Sequence, residues 1–260
     1  MSQAGRDGGP VVSRRSWVEQ VMGLPVSVLA RGASAGSAAA DAAVRAVYAE
    51  LREVDRVFSP YRDDSEVSRL GRGELGWADA TPLVREVAGR CLRAAELTGG
   101  LFDATRPDGN WDPSGLVKGW ATERAARLLT AVGELDWCLN AGGDVVVNCP
   151  SGEPFVVGIQ DPLDPAAVKT SVAVSAGAVA TSGTTARGAH LYDPRTGRAV
   201  TGRRLSITVV GPSLELADVL ATAAFVSGDD WTDFLDRIAA YEGLCIAPDG
   251  TWRTTAGWPR

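Results

Sequence analysis

The sequence predicts a single α+β domain in which a mixed or antiparallel sheet is interleaved with flanking helices. Several segments repeat apolar residues every three or four positions, which is typical of amphipathic helices. Other short runs are rich in β-branched and apolar residues and end at Gly, Pro, Asp or Asn, as strands do. No repeat or linker divides residues 17–260, so we predict one domain there, preceded by a flexible tail at residues 1–16.

Helix boundaries are indicated by apolar spacing and by capping residues. Thr81 is a candidate N-cap, Pro82 takes the first helical position, and two glycines at 99 and 100 end that helix. On its apolar face Cys91 is a small core residue. The helical pattern predicts six segments, at residues 37–58, 65–70, 82–98, 114–129, 214–227 and 231–240.

Strands are predicted between and after these helices. Two short ones lie within residues 17–30, around a turn at residues 23–25. A closing hairpin is predicted from residues 245–247 and 251–252 around a Pro-Asp-Gly turn. The remaining β segments are residues 137–139, 145–148, 155–159, 172–175 and 205–210.

Composition excludes several classes of function. With 260 residues the chain can bury a sizeable core, and its net charge of −6 disfavours nucleic acid as the main partner. Four cysteines without Cys-x-x-Cys spacing and one histidine do not make a zinc cluster. We see no signal peptide, lipid-anchor cysteine or membrane-spanning run, which predicts a soluble, cytoplasmic protein without a stable membrane anchor.

Asp218 is the least expected residue in the chain. It is the only charge between Leu216 and Gly228, and it precedes Thr222 by four residues, so both oxygens share one face of a helix. Burying an unpaired carboxylate is costly, so it needs a cation or several donors. Mg²⁺ takes such oxygen ligands. The alternatives are a buried, hydrogen-bonded Asp and a helix that exposes this edge.

Three further groups are candidates for chemistry. His190 precedes turn residues, where it could be a general base, a phosphate donor or a core imidazole. The segment Ser114-Gly115-x-x-Lys118 at a helix start could bind phosphate, or it could simply begin a helix. Residues 140–144, Asn-Ala-Gly-Gly-Asp, allow either a hairpin turn or close approach of a ligand to the backbone.

In this order the motifs resemble those of the ApbE family of flavin transferases. The resemblance runs from residue 22 to residue 228. It rests on nine short motifs in register: Met22-Gly23, Phe58-Ser59-x-Tyr61 with Ser65-Glu66, Phe102-Asp103, Gly115-x-x-Lys118-Gly119, Asn140-x-Gly142-Gly143-Asp144, Gly158-Ile159-x-Asp161-Pro162, Thr181-Ser182-Gly183, His190-x-x-Asp193-Pro194-x-Thr196-Gly197 and Ala217-Asp218-x-x-Ala221-Thr222.

The resemblance implies an ApbE-like domain that uses FAD as substrate with Mg²⁺ as cofactor. The resemblance further implies that this domain transfers FMN to a Thr or Ser hydroxyl of an acceptor flavoprotein and releases AMP. Asp218, Thr222 and the Gly115 carbonyl match the metal ligands, and His190 matches the catalytic base. The residues that match FAD-binding positions are Met22, Tyr61, Ser65, Glu66, Asp103, Ser114, Lys118, Asn140, Gly142, Gly143, Asp144, Thr181 and Ser182.

Two residues depart from the family pattern on the nucleotide side. Leu24 stands where Thr is frequent, and Gly71 stands where Asn is common. Two other functions therefore remain open. The first is an FAD pyrophosphatase, in which water replaces the acceptor and FAD yields FMN and AMP. The second is a non-catalytic FAD-binding protein.

Overall fold

The computed structural model describes residues 13–184, 191–200 and 204–259. These ranges contain twelve strands: β1 Arg14–Val21, β2 Leu24–Arg31, β3 Asp136–Ala141, β4 Asp144–Asn148, β5 Phe155–Asp161, β6 Asp164–Val174, β7 Ala176–Gly183, β8 Tyr192–Asp193, β9 Arg198–Ala199, β10 Ser206–Gly211, β11 Glu242–Ile246 and β12 Trp252–Thr254. They also contain six α-helices: α1 Ala38–Phe58, α2 Glu66–Gly71, α3 Pro82–Leu97, α4 Ser114–Ala126, α5 Leu214–Val226 and α6 Trp231–Leu235.

One eight-stranded sheet is the centre of the molecule. Its strand order is β1-β2-β3-β4-β7-β10-β11-β12. Every neighbouring pair is antiparallel. The predicted α+β class is confirmed, and the sheet is antiparallel rather than mixed.

The helices pack on one face of this sheet, where most of the apolar side chains are buried in one core. Helix α1 begins as the sequence predicts, with the Ser37 hydroxyl accepting the Ala40 N–H at 3.1 Å. The Thr81 hydroxyl caps α3 in the same way, and Pro82 takes the first position. Side-chain oxygens satisfy N–H groups that a helix start otherwise leaves unpaired.

The opposite face is covered by the antiparallel hairpin of β5 and β6. Phe155 and Val157 of this hairpin pack against Val179 of β7 and Val210 of β10 in a second, smaller core. The sheet is therefore buried on both faces along its central strands, which is why β4, β7 and β10 carry few charged residues.

Sequence analysis did not predict strand β7, because its residues are mostly small. Ala176–Gly183 contains a single β-branched apolar residue, Val179, and five of its eight residues are Ala or Gly, which are depleted in strands. The strand forms because it pairs with β4 on one side and β10 on the other. Tertiary pairing therefore outweighs local preference in the middle of the sheet.

Several predicted boundaries differ from the structure. The first strand begins at Arg14, so residues 14–16 belong to the sheet and not to the predicted tail. The first turn is formed by Met22 and Gly23 instead of residues 23–25, because both have left-handed φ angles, 57° and 69°, that suit a two-residue hairpin. Helix α4 ends at Ala126 and α6 at Leu235, both earlier than predicted.

The described helices include none that is both long and apolar enough to cross a membrane.

All four cysteines are free thiols, and Cys91 is buried on α3 as predicted. Burial raises the pKa of the Cys91 thiol to about 12. The closing hairpin of β11 and β12 is also present as predicted.

A buried ion pair joins β2 to β3. Arg31 Nε donates to Asp136 Oδ2 at 3.0 Å, and both side chains are buried. The Ser151 hydroxyl and backbone N–H also donate to the Asp136 carboxylate. Arg31 further donates to the Glu153 carbonyl and lies over the Phe155 ring. This pair therefore ties the start of the β5–β6 hairpin to strands β2 and β3.

We expect Asp136→Ala to lower the free energy of unfolding by about 3–5 kcal/mol, because the buried Arg31 guanidinium loses its buried partner and keeps only the exposed Glu153 carboxylate. Urea unfolding followed by circular dichroism measures the change. The control is Asp64→Ala, which removes an exposed partner of Arg62 and should leave the unfolding midpoint where it is. Equal midpoints for Asp136→Ala and the parent protein would contradict this assignment.

Candidate functional site

A cleft of about 1540 Å³ opens at one end of the strands of the sheet. The β1–β2 turn, the β3–β4 turn and the end of β7 all reach it, together with the start of α4 and one face of α5. In an antiparallel sheet alternate turns lie at the same end of the strands, so residues that are far apart in sequence meet there. The cleft is therefore the place to look for the predicted site residues.

The centre of the cleft holds one ammonium between two carboxylates. Lys118 Nζ contacts Asp144 Oδ2 directly and lies 3.5 Å from Asp218 Oδ1. Asp218 Oδ2 accepts the Gly119 N–H at 3.2 Å. Burial raises the pKa of the Asp218 carboxyl, and the Lys118 ammonium opposes that rise. Asp144 adds to the rise, because a second negative charge nearby favours the neutral form.

Close packing of α4 on α5 brings Lys118 to Asp218. A Cβ at Gly119 would lie 2.7 Å from the Leu214 carbonyl oxygen and 3.0 Å from Asp218 Cβ. Only glycine fits so close a contact between two helices. Asp218 lies in the second turn of α5, beyond the Ser213 N-cap, so its carboxylate faces α4 and not the helix start.

A set of hydroxyl groups surrounds the charged centre. The hydroxyls of Ser182 and Thr222 are 2.9 Å apart, which joins the end of β7 to α5. Thr181 donates its backbone N–H to Asp144 Oδ1 at 3.1 Å. Asp144 is therefore held by the neighbouring strand as well as by Lys118. The predicted pairing of Asp218 and Thr222 on one face of a helix is present, and both side chains line the cleft.

The chemistry of this centre fits a hard cation. When both acids are ionised, two carboxylates and one ammonium leave an excess negative charge in a buried site, which is costly without a compensating cation. The available donors are oxygens, as Mg²⁺ requires. Across the described ranges no three His, Cys, Asp or Glu side chains form a metal cluster. A cation here would therefore be held by few protein ligands and would complete its shell from a substrate or water.

Most of the predicted site residues line this cleft. Besides the charged centre, the structure brings together Met22, Tyr61, Asp103, Ser114, Gly115, Gly142, Gly143, Thr181 and Ser182. The predicted base His190 lies outside the described residues, so its role stays a prediction.

Three predicted FAD-binding residues do not line the cleft and have structural contacts instead. The Ser65 hydroxyl caps α2 by accepting the Ser68 N–H. Glu66 accepts the backbone N–H of Thr81, at the start of α3. Asn140 accepts the Gly143 N–H and thereby closes the β3–β4 turn. Their side-chain oxygens therefore already accept hydrogen bonds from backbone N–H groups.

The two departures from the family pattern have different surroundings. The Leu24 side chain lines the cleft and packs on Gly142, where a Cβ would meet it at 3.0 Å. Leu24 therefore forms apolar wall where a Thr would offer a hydroxyl. Gly71 lies at the end of α2, and an added Cβ there would be 3.6 Å from Asn110 Oδ1.

Sequence analysis missed several polar cleft residues. Asp55 and Arg106 line the cleft without belonging to a recognisable motif. Tyr192 of the β8–β9 hairpin reaches the Thr105 carbonyl at 3.4 Å and so connects this hairpin to the α3–α4 loop. Ser206 also lines the cleft. Asp55 lies in the last turn of α1 between the buried Val54 and Val57, and an acid at such a position was the one available signal.

The fold and the cleft define an α+β protein whose cleft contains a lysine ammonium between two buried carboxylates. The chain belongs to the ApbE family, whose model matches residues 22–108 and 105–244. This membership confirms the resemblance drawn from the nine motifs.

Curated relatives carry the name FAD:protein FMN transferase. One from Rhodobacter capsulatus is 33% identical over 200 residues, which cover 73% of this chain and 35% of the relative. Another, from Vibrio cholerae, is 28% identical over 179 residues, covering 63% of this chain and 54% of the relative. The match therefore spans between about a third and about half of these two relatives' length.

Solved structures support the fold independently. The ApbE protein of Thermotoga maritima has a TM-score of 0.81 at 22% identity, with 94% of this chain and 97% of that one covered. The flavin transferase ApbE from Vibrio cholerae has a TM-score of 0.76 at 23% identity, with coverage of 94% and 98%. The single ApbE-like α+β fold predicted from sequence is thereby confirmed.

We expect Gly119→Ala to separate α4 from α5 and to lower the free energy of unfolding by about 1–3 kcal/mol, because its Cβ would clash with the α5 backbone. Thermal and urea unfolding measure the effect. Gly133→Ala is the matched control, since its added Cβ would meet no atom within 4 Å. If both variants unfold like the parent protein, the helix contact is looser than described.

Proposed function

We propose that this protein transfers the FMN part of FAD to a Thr or Ser hydroxyl of an acceptor flavoprotein and releases AMP. The observation that carries the proposal is the buried Lys118–Asp144–Asp218 cluster in a cleft that also contains Thr222. Family membership and the names of the curated relatives support the same reaction.

Lys118 is the phosphate-binding residue in this proposal. Its ammonium lies in the cleft and already pairs with two acids, so it can shift toward phosphate oxygens without being buried anew. Gly142 and Gly143 form the β3–β4 turn beside it and present backbone without side chains to the dinucleotide. These groups hold the pyrophosphate, while the wider parts of the cleft take the two rings.

Asp218 and Thr222 would hold Mg²⁺, with the Gly115 carbonyl as a third ligand. When bound, the ion neutralises negative charge on the phosphates that develops during transfer. The hydroxyl pair of Thr222 and Ser182 keeps the Thr222 side chain turned toward the cleft. Close packing at Gly119 keeps the Asp218 carboxylate facing Lys118.

The transfer is balanced without any redox partner. The acceptor hydroxyl oxygen forms a bond to the FMN phosphorus, and the bond from that phosphorus to the bridging oxygen breaks, so AMP leaves with that oxygen. The hydroxyl proton passes to His190 as general base, a step worth roughly 10²- to 10⁴-fold in rate. Water in place of the acceptor hydroxyl gives FMN and AMP by the same steps, so chromatography of products with and without acceptor separates transfer from hydrolysis.

We expect Asp218→Ala to abolish Mg²⁺-dependent FMN transfer while the protein stays folded, because a ligand for the cation is lost and, among the described residues, the polar contacts removed are those to Lys118 and Gly119. Mass spectrometry of an acceptor incubated with FAD and Mg²⁺ gives the readout. Asp233→Ala on α6, an exposed acid outside the cleft, is the control. Parent-level turnover by Asp218→Ala at limiting Mg²⁺ would remove Asp218 from the metal site.

For His190→Asn we expect transfer to fall by at least 10²-fold with FAD affinity retained, because the base acts on the acceptor proton and not on the dinucleotide. Equilibrium binding of FAD and the rate of AMP release, measured across pH, separate the two effects. A parent-like rate at every pH would exclude His190 from the mechanism. Loss of FAD binding would make it a binding residue instead.

A further inference from the structure

The two edges of the central sheet differ in length and in exposure. Strand β12 at one edge has three residues, whereas β1 at the other edge has eight. A long edge strand presents unpaired N–H and C=O groups and is a template for pairing with another chain. On the outer face of the sheet Val18 of β1 is 68% exposed, and Leu29 of the adjacent β2 is 41% exposed. The β1 edge is therefore the better candidate of the two for pairing with a second chain.

Alternate residues of β1 direct their backbone groups away from β2. Next to this strand pair the Gly32 N–H donates to the Ser13 carbonyl. Bonded and non-bonded pairs alternate along an antiparallel ladder, so the odd-numbered residues of β1 bond β2 and the even-numbered ones do not. The Pro25 carbonyl agrees with this pattern, because it accepts the Gly142 N–H of the β3–β4 turn instead of facing β1. Within the described ranges, no backbone bond outside the sheet reaches the four even-numbered residues, Arg14, Ser16, Val18 and Gln20.

The odd-numbered side chains of β1 point toward the helices and carry opposite charges on either side of Trp17. Arg15 bonds Asp41 of α1 and lies over the Trp17 ring. Glu19 pairs with Arg52 of the same helix. These four charged side chains remain between 27% and 55% exposed, so they can still interact with groups that approach the edge.

A two-fold axis through Trp17 matches these charges between two copies of β1. In an antiparallel pair about this axis, Arg15 of each copy lies opposite Glu19 of the other. Ser16 then lies opposite Val18, and both present free N–H and C=O groups to the other strand. Opposite charges directly across two strands stabilise a sheet, and like charges destabilise it.

Other registers of the same strand pair lose this match. A slip of two residues in either direction separates both pairs of opposite charges. A slip of four residues sets Glu19 opposite Glu19 in one direction and Arg15 opposite Arg15 in the other. The charges of β1 therefore favour one register, in which the strand is complementary to itself.

We propose that the protein forms a two-fold homodimer in which two β1 strands pair at this register and join the two eight-stranded sheets into one. In the dimer the charges alternate in a row from Asp41 and Arg15 of one copy to Glu19 and Arg52 of the second copy. The partner is a second copy of this chain, because the two-fold arrangement uses each of these charges twice.

The pairing keeps the two clefts apart. The turn at Met22 and Gly23, which reaches the cleft, lies past Gln20, the last residue of β1 with a free edge group. Because the paired strands are antiparallel, the two turns point to opposite ends of the joined sheet. Each copy therefore keeps its own cleft, and the inference is independent of the proposed function.

The test is the oligomeric state of the full chain and of charge-reversed variants, measured by sedimentation equilibrium across a range of protein concentrations. We expect the parent protein to show a monomer–dimer equilibrium. Arg15→Glu and Glu19→Arg each turn both attractive pairs into repulsive ones, so the dimer Kd should rise about 10-fold or more. The double variant should restore the dimer, and an equimolar mixture of the two single variants should form a heterodimer.

Arg253→Glu is the matched control, since it makes the same charge change on β12 at the other edge, and it should dimerise like the parent. Thermal melting checks that each variant is folded, because the reversals also remove the contacts of Arg15 with Asp41 and of Glu19 with Arg52. A parent protein that is monomeric at every concentration would overturn the proposal, as would a dimer whose Kd neither reversal changes. Folded single variants that stay monomeric when mixed would also overturn it, since mixing restores each pair of opposite charges.

Discussion

The site depends on one electrostatic constraint, which is that Asp218 is buried and must be compensated. A carboxylate removed from water carries a large desolvation cost unless opposite charge and hydrogen bonds surround it. Lys118 supplies the charge from α4, and the Gly119 N–H supplies a hydrogen bond from the same helix. Compensation of Asp218 therefore requires contact between α4 and α5. The two helices approach closely because Gly119 has no side chain.

Asp144 extends this constraint to the sheet. Its carboxylate contacts Lys118 through one oxygen and accepts the Thr181 N–H through the other. One ammonium thus links α4, α5 and β4, and through Thr181 it links β7 as well. A phosphate that draws Lys118 toward itself would leave the two acids facing each other, which is the situation in which a divalent cation is most strongly favoured.

The sequence predicted the elements whose information is local. Ser37, Thr81 and Pro82 stand at helix starts because the chemistry of capping acts within one turn of helix, and a pattern of three or four residues reveals it. The pairing of Asp218 with Thr222 was predictable for the same reason. The ApbE resemblance added the order of distant motifs, and with it the fold.

What sequence could not predict depends on tertiary neighbours. Nothing local distinguishes Ser206 from an ordinary strand serine, since its place in the cleft depends on the pairing of β10 with β7 and β11. The motif predicts that Glu66 binds a ligand, yet its carboxylate accepts a hydrogen bond from the backbone N–H of Thr81. Strand β7 was not predicted because its stability comes from pairing with β4 and β10, and not from the strand propensity of its own residues.

The alignment of β7 with its neighbours has a consequence for the chemistry. Thr181 faces the hairpin and bonds Thr208, whereas Ser182 faces the helices and bonds Thr222. A slip of one residue would exchange these two hydroxyls between the faces. The register of this single strand therefore sets the positions of hydroxyl groups on both faces of the sheet. Inserting a residue within β7 would shift both hydroxyl groups at once, whereas residues added after Gly183 would leave the register of β7 unchanged.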